Sequence, residues 1–169
     1  MAEDQETIYY VLGDDLRSVA RSPHLDYFLA HDIEVLNLVE PIDGFMVVAL
    51  QEYDGKPLKN VEDAGLELPR KGEEQDDAEQ IVAVAVFNRL VGRFVQVLGD
   101  SVVEVRESSV LRSSPCRLVS PDDAPMREMS RVYRLLDQEF DAPKRILEIN
   151  RRHPIVVNLS RLVAETPDA

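Results

Sequence analysis

The side chains able to do chemistry are few and poorly grouped. Three histidines, His24, His31 and His153, are present, and none has a second His or Cys at i+3 or i+4. Metal ligation from one helix face needs that spacing, so isolated histidines read as structural or surface residues. His153 stands directly before Pro154, a pair suited to starting a helix. Ser114-Pro115-Cys116 could suggest a nucleophile, but no Gly-x-Ser-x-Gly turn surrounds it, and a thiol among apolar strand residues is expected to act as a small core hydrophobe. The acid pairs Asp14-Asp15, Glu73-Glu74, Asp76-Asp77 and Asp122-Asp123 are adjacent in the chain, so their side chains diverge. They suit turns and helix starts better than general acid–base work. The turn Gly13-Asp14-Asp15-Leu16 follows an apolar run, where a phosphate loop would sit in a nucleotide-binding fold. Two carboxylates there would repel a phosphate, and neither G-x-G-x-x-G nor G-x-x-x-x-G-K-[ST] occurs anywhere. The residues themselves therefore predict no catalytic, cofactor-binding or metal-binding set.

Positioning elements follow from the periodicity. Ile8–Leu12 reads as a buried strand. Asp14 is placed to cap a short helix, and Ser22-Pro23 opens a second, with Leu25, Phe28 and Leu29 on one face. Ile33–Val39 reads as a strand covered on both sides. Pro41 opens a helix whose Ile42, Phe45, Met46, Ala49 and Leu50 recur at helical spacing. Asp54-Gly55 then turns the chain into Leu58–Val61, where Pro57 argues for an edge. The order predicts a small three-layer α/β module with a mostly parallel sheet over residues 1–69. The polar tract Pro69–Asp77 reads as an exposed connection. From residue 70 to 169 the pattern predicts a mixed α+β module opened by a long helix carrying Val84, Phe87, Val91, Phe94 and Leu98. Strands at Val102–Arg106, Cys116–Val119 and Arg145–Ile149 follow, with a stripe of Met126, Met129, Val132, Tyr133, Leu136 and Phe140 between the last two. A final helix from Pro154 carries Ile155, Val156, Leu159, Leu162 and Val163.

Composition narrows the function classes. The 169 residues are 44% apolar and 30% charged, with a net charge of −13. Residues 1–80 hold 6 Lys/Arg against 20 Asp/Glu, a balance of −14, whereas residues 81–169 hold 13 against 12, a balance of +1. That acidity argues against a nucleic-acid backbone as partner. No run of about 18 apolar residues predicts a membrane span, and Met1–Glu6 has no apolar signal region. The single Cys116 fits a reducing compartment, and the chain reads as soluble and cytoplasmic.

One ordered series of short motifs is more informative. Lys144-Arg145-Ile146-Leu147-Glu148-Ile149-Asn150, then two residues, then His153-Pro154-Ile155-Val156 resembles a signature in the C-terminal domain of bacterial-type heat-shock protein 90 chaperones. Upstream, Ile8-Tyr9-Tyr10, Ser22-Pro23-His24-Leu25, Ile33-Glu34-Val35-Leu36, Pro41-Ile42-Asp43 and Tyr53-Asp54-Gly55-Lys56-Pro57-Leu58 resemble the end of that family's middle domain. Ser114-Pro115-Cys116 and Met129-Ser130-Arg131 resemble the next part of its C-terminal domain, so the similarity runs over about residues 7–163. The resemblance implies a non-catalytic fragment: residues 1–69 as the end of the middle domain, and 70–169 as a C-terminal domain cut before the last dimerisation helices. It implies client proteins as partners through Met126, Met129 and Tyr133. It also implies a homodimer in the full-length parent, with Ile155, Leu159 and Leu162 near the dimer contact, and a weak dimer or monomer for this piece. ATP and magnesium would belong to the parent's absent N-terminal domain. Two departures stand out: Gly44 replaces a usual acidic residue, and the client segment is one residue shorter between its apolar anchors. The competing reading is a small two-domain α/β nucleotide-binding enzyme or regulator using the C-terminal edge of the first sheet.

Overall fold

The computed structural model describes residues 5–66, 68, 81–121 and 143–165. The chain separates into two compact units, one comprising residues 1–67 with 120–143, the other 68–119 with 144–169. The tract Pro69–Asp77 and the stripe Met126–Phe140, with Met126, Met129 and Tyr133, lie outside the described residues.

The first unit is built on a four-stranded sheet of β1 (Ile8–Leu12), β2 (Val35–Leu38), β3 (Glu52–Tyr53) and β4 (Lys56–Asn60), in the order β2-β1-β4-β3. β1 pairs in parallel with β2 and β4, and only the β3–β4 hairpin is antiparallel, so the sheet is mostly parallel as expected. Helix α1 (Leu16–Val19), a single 3₁₀ turn at Pro23–Leu25 and α2 (Asp26–Ala30) connect β1 to β2, and α3 (Asp43–Ala49) follows β2. Tyr9, Tyr10 and Val11 of β1 are buried with Val19, Leu25, Tyr27 and Phe28. The rings of Tyr9 and Phe28 meet edge to face at 4.9 Å, a favoured quadrupole geometry. Ser22 caps the 3₁₀ turn through the His24 N–H. The hairpin turn Asp54-Gly55 has both residues at positive φ, the backbone that matches strand twist in a two-residue loop. After the strand Cys116–Val119 the chain rejoins this unit at Ser120, which forms a parallel bridge to Asp63.

Five local expectations change. Asp15, not Asp14, caps α1, because its carboxylate is the one within reach of the free amides. Leu29 is exposed, since the short α2 turns only Tyr27 and Phe28 inward. β2 is an edge strand with Leu36 in solvent, so it is not covered on both sides. β4 is interior, and Pro57 is tolerated because pairing with β1 begins one residue later, at Leu58. The apolar stripe of α3 faces solvent: Gly44 and Val47 are its buried residues, while Ile42, Phe45, Met46 and Leu50 are exposed.

The second unit sets two helices against a three-stranded sheet. Helix α4 (Val84–Leu98) ends at Gly99 and packs on β5 (Val102–Glu107) and on α5 (Pro154–Glu165). The sheet order is β5-β7-β6, with β6 (Cys116–Val119) antiparallel and β5 parallel to the central β7 (Arg145–Ile149). Phe87, Leu90, Val105, Ile149 and Val156 form the core, with Phe94, Leu98, Val102 and Val163 against it. The register of β5 shifts between Val102 and Glu104, leaving Val103 as an extra, exposed residue. That irregularity brings Val102 and Val105, three apart, onto the core side, which strict alternation would forbid.

At Gly13 the need for glycine is steric: a Cβ there would run into the side chain of buried Val19. Gly13→Ala is expected to destabilise the chain by about 1–3 kcal/mol, the usual cost of overpacking. Urea unfolding followed by circular dichroism would read this as a lower midpoint at unchanged slope.

Candidate functional site

The densest group of charges in the described residues lies on the face of the second sheet opposite α4 and α5. The register sets Glu148 of β7 beside Arg106 of β5 and Arg117 of β6. Arg106 donates to Oε1 through Nη2 at 2.8 Å and Nε at 3.1 Å. Arg117 donates to Oε2 through Nε at 2.7 Å, and the Ser108 hydroxyl reaches Oε2 at 3.1 Å. The Glu148 and Arg117 side chains are only 6% and 3% exposed, so this pair is held away from water. Burial pushes the Glu148 carboxyl up, but the Arg117 and Arg106 guanidiniums outweigh it and hold the group below the ordinary glutamate range. A carboxylate so buried, saturated by arginines and stripped of proton affinity cannot serve as a general base. Its work is structural. Ser108 also accepts from the Val110 and Leu111 amides, and Asn150 donates to the Arg112 and Ser114 carbonyls, so the β5–β6 loop is fastened to the end of β7.

This network inverts the expected reading of β6. Cys116 is exposed, not a core thiol, and Leu118 is exposed with it, while Arg117 and Val119 are buried. The buried face of the strand is the one on which Glu148 waits.

The nucleotide-site reading can be tested at the carboxyl end of β1. β1 lies between the parallel strands β2 and β4, and the chain passes from β1 to β2 on one side and only later, through α3 and β3, to β4 on the other; open α/β sheets bind ligands at the carboxyl ends of such strands. Here the Asp15 carboxylate accepts the α1 amides of Arg17 at 2.8 Å and Ser18 at 2.9 Å. Those amides, Ser18 first, hold Asp15 below the usual carboxylate range. The helix start that would cradle a phosphate is taken by the chain's own anion. The histidines do not converge either: His24 is buried beside Leu25, His31 stacks on Tyr27 at 4.0 Å, and His153 Nδ1 accepts the Ile155 N–H at the start of α5. Among the described residues no three His, Cys, Asp or Glu side chains form a group able to hold a metal ion.

What the structure does present is apolar surface. Between Ile42 and Tyr53, six large apolar side chains stand in solvent: Ile42, Phe45, Met46, Val48, Leu50 and Tyr53. Ile42 is 67% and Tyr53 66% exposed, values foreign to a core. Large exposed apolar residues concentrated in one stretch in this way are a feature of surfaces that bind other molecules. The periodicity identified these residues but assigned them to a core; the signal that separates the cases is the shortness of α3, which can bury only Gly44 and Val47. A second exposed face lies on α5, where Val156 and Ser160 turn inward and Ile155, Leu159 and Leu162 turn outward. The residues expected near a dimer contact thus share one open face.

Replacing Glu148 by Gln would leave Arg117 buried without its counter-charge, and the cost expected is about 3–5 kcal/mol. Because the folded carboxyl titrates below its unfolded value of about 4.3, its contribution is complete above that value and fades as pH falls through the lower, folded one. Unfolding measured between neutral pH and about pH 3 should therefore fall more steeply for the parent chain than for Glu148→Gln.

The profile of the family described as Hsp90 protein matches residues 1–169. Chaperone protein HtpG of Chlorobium phaeovibrioides is 36% identical over 168 residues, which is 99% of this chain and 26% of that protein. The same-named protein of Chlorobaculum tepidum is 40% identical over 162 residues, covering 95% of this chain and 25% of its own length. That of Streptomyces coelicolor is 35% identical over 168 residues, with 99% and 26% covered. The chain spans about a quarter of the length of these relatives. With the family profile matched from end to end, and relatives above 30% identity along almost all of the sequence, the chain belongs to the Hsp90 family.

Proposed function

We propose that this chain is the polypeptide-binding and scaffolding part of an Hsp90 chaperone of the HtpG type, with residues 1–69 ending the middle domain and 70–169 belonging to the C-terminal domain. The observation that carries the reading is the apolar strip from Ile42 to Tyr53, exposed on a member of a chaperone family. Non-native proteins display apolar side chains in no fixed geometry, and a solvent-facing strip with a flexible methionine can meet them without a shaped pocket. Met126, Met129 and Tyr133 would extend the same role. No chemistry is required of this piece; ATP hydrolysis, with magnesium, belongs to the parent's nucleotide domain, and the Asp15 cap leaves no phosphate cradle at the sheet's edge. The working site is the cytoplasm, and no helix of the described residues is long and apolar enough to cross a membrane.

The open face of α5 supports homodimerisation of the parent through Ile155, Leu159 and Leu162. Three side chains per subunit fall short of the ~1,200 Å² that stable interfaces bury. Sedimentation equilibrium of the chain at micromolar concentration should show monomer or weak dimer, and a tight dimer would place the contact elsewhere.

Suppression of light scattering by a heat-unfolded reporter protein tests the binding role. The chain should suppress aggregation without nucleotide, and Phe45→Ser with Met46→Ser should remove at least about half of that effect while stability stays within roughly 0.5 kcal/mol, as for other surface sites. Full suppression by the double variant would refute the strip as the binding surface.

A further inference from the structure

The strip has a charged frame. From Ser22 to Gly55 the sequence contains seven carboxylates, Asp26, Asp32, Glu34, Glu40, Asp43, Glu52 and Asp54, and not one Lys or Arg. Four of these border the strip or lie within its span, Glu40 before it, Asp43 and Glu52 inside it and Asp54 after it, with Glu40, Glu52 and Asp54 exposed. Lys56, the first cation beyond, donates its Nζ to the Gln5 carbonyl at 2.6 Å. The imbalance belongs to the whole unit: residues 1–67 and 120–143 together hold 7 Lys/Arg against 21 Asp/Glu, a balance of −14.

From this we infer that the strip selects apolar segments that carry Lys or Arg, and turns away acidic ones. The inference rests on the polypeptide-binding reading and adds a class of client to it. Apolar contact is blind to sequence, so discrimination must come from the rim, where like charges repel and opposite charges steer the encounter. Lysine and arginine suit both parts of the surface, because their aliphatic stems pack on apolar side chains while their heads reach the carboxylates. The rim charges Glu40, Glu52 and Asp54 are exposed, so the preference must weaken as salt shortens the screening length, while apolar contact persists.

The test uses the full 169-residue chain and three fluorescent peptides of identical apolar content, whose polar positions are all Lys, all Gln or all Glu. At about 20 mM salt, anisotropy titrations should give the Lys peptide at least ~tenfold tighter binding than the Gln peptide, with the Glu peptide weakest; at about 0.5 M salt the three should converge to within roughly threefold. The variant Asp43→Asn, Glu52→Gln, Asp54→Asn should lose the Lys preference and keep Gln-peptide binding. Its substitutions keep the side-chain oxygen that accepts the Glu40 amide, and asparagine tolerates the positive φ at position 54. Phe45→Ser with Met46→Ser should weaken all three peptides alike. Equal binding of the three peptides at low salt overturns the charge selection and leaves polypeptide binding standing. No binding by any peptide overturns the reading beneath it. A Lys preference that survives in the triple variant overturns the assignment to this rim.

Discussion

The carboxylate of Glu148 is the constraint on which the second unit turns. It sits on the central strand of a three-stranded sheet, and each neighbouring strand brings an arginine to it at the same level. An ion pair this dry repays its desolvation only when geometry is good and the remaining lone pairs are used, and here Ser108 supplies the further bond. The consequences reach outward. Register on both sides of β7 is fixed by charge as well as by apolar alternation, because a slip of one residue would bury an arginine without its partner. The β5–β6 loop is held by the same group of residues, with Asn150 completing the attachment. The Nη1 of Arg117 is buried with no hydrogen-bond partner among the described residues, which makes the Glu148 contact the more costly to lose.

The apolar residues are divided between cores and surfaces in a way that suits a binding protein. Each unit closes its own core, around Phe28 and Val11 in the first and around Phe87 and Ile149 in the second. Single exposed residues such as Leu16, Leu29, Val97 and Val103 occur along the chain, but the largest groups lie on α3 and the following hairpin strand, and on the outer face of α5. Both helices are amphipathic in an unusual sense, because their most regular apolar rows point away from the sheets they accompany. A stable core does not require those rows, and their exposure carries a solubility cost that the surrounding carboxylates offset in the first unit.

The chemistry of the first unit follows from the same economy of charge. Its sheet has the topology that in other proteins places a phosphate at the first helix start, but Asp15 fills that position and is stabilised as an anion by the amides it accepts. An acidic surface with an apolar strip has a different set of partners from a phosphate-binding crevice. The proposal of a polypeptide partner rests on that difference together with membership of the Hsp90 family.

Local order was legible along most of the chain. β1, β5, β6 and β7 fall where β-branched runs placed them, and α4 and α5 follow the three-four spacing of their apolar residues, ending at Gly99 and starting at Pro154. The Ser22 cap, the Asp54-Gly55 turn and the charge contrast between the parts of the chain could also be read directly, because each depends on residues adjacent in sequence. Which face of an element is covered could not. Periodicity says that Ile42, Phe45, Met46 and Leu50 share a side of α3, and equally that Cys116 and Leu118 share a side of β6, but it is silent on whether anything packs there. The triad of Arg106, Arg117 and Glu148 joins residues 31 and 42 positions apart, and no local pattern announces it. Strand pairing across the sheet decided that an arginine would be buried and a cysteine exposed, since burial depends on what the rest of the chain brings alongside.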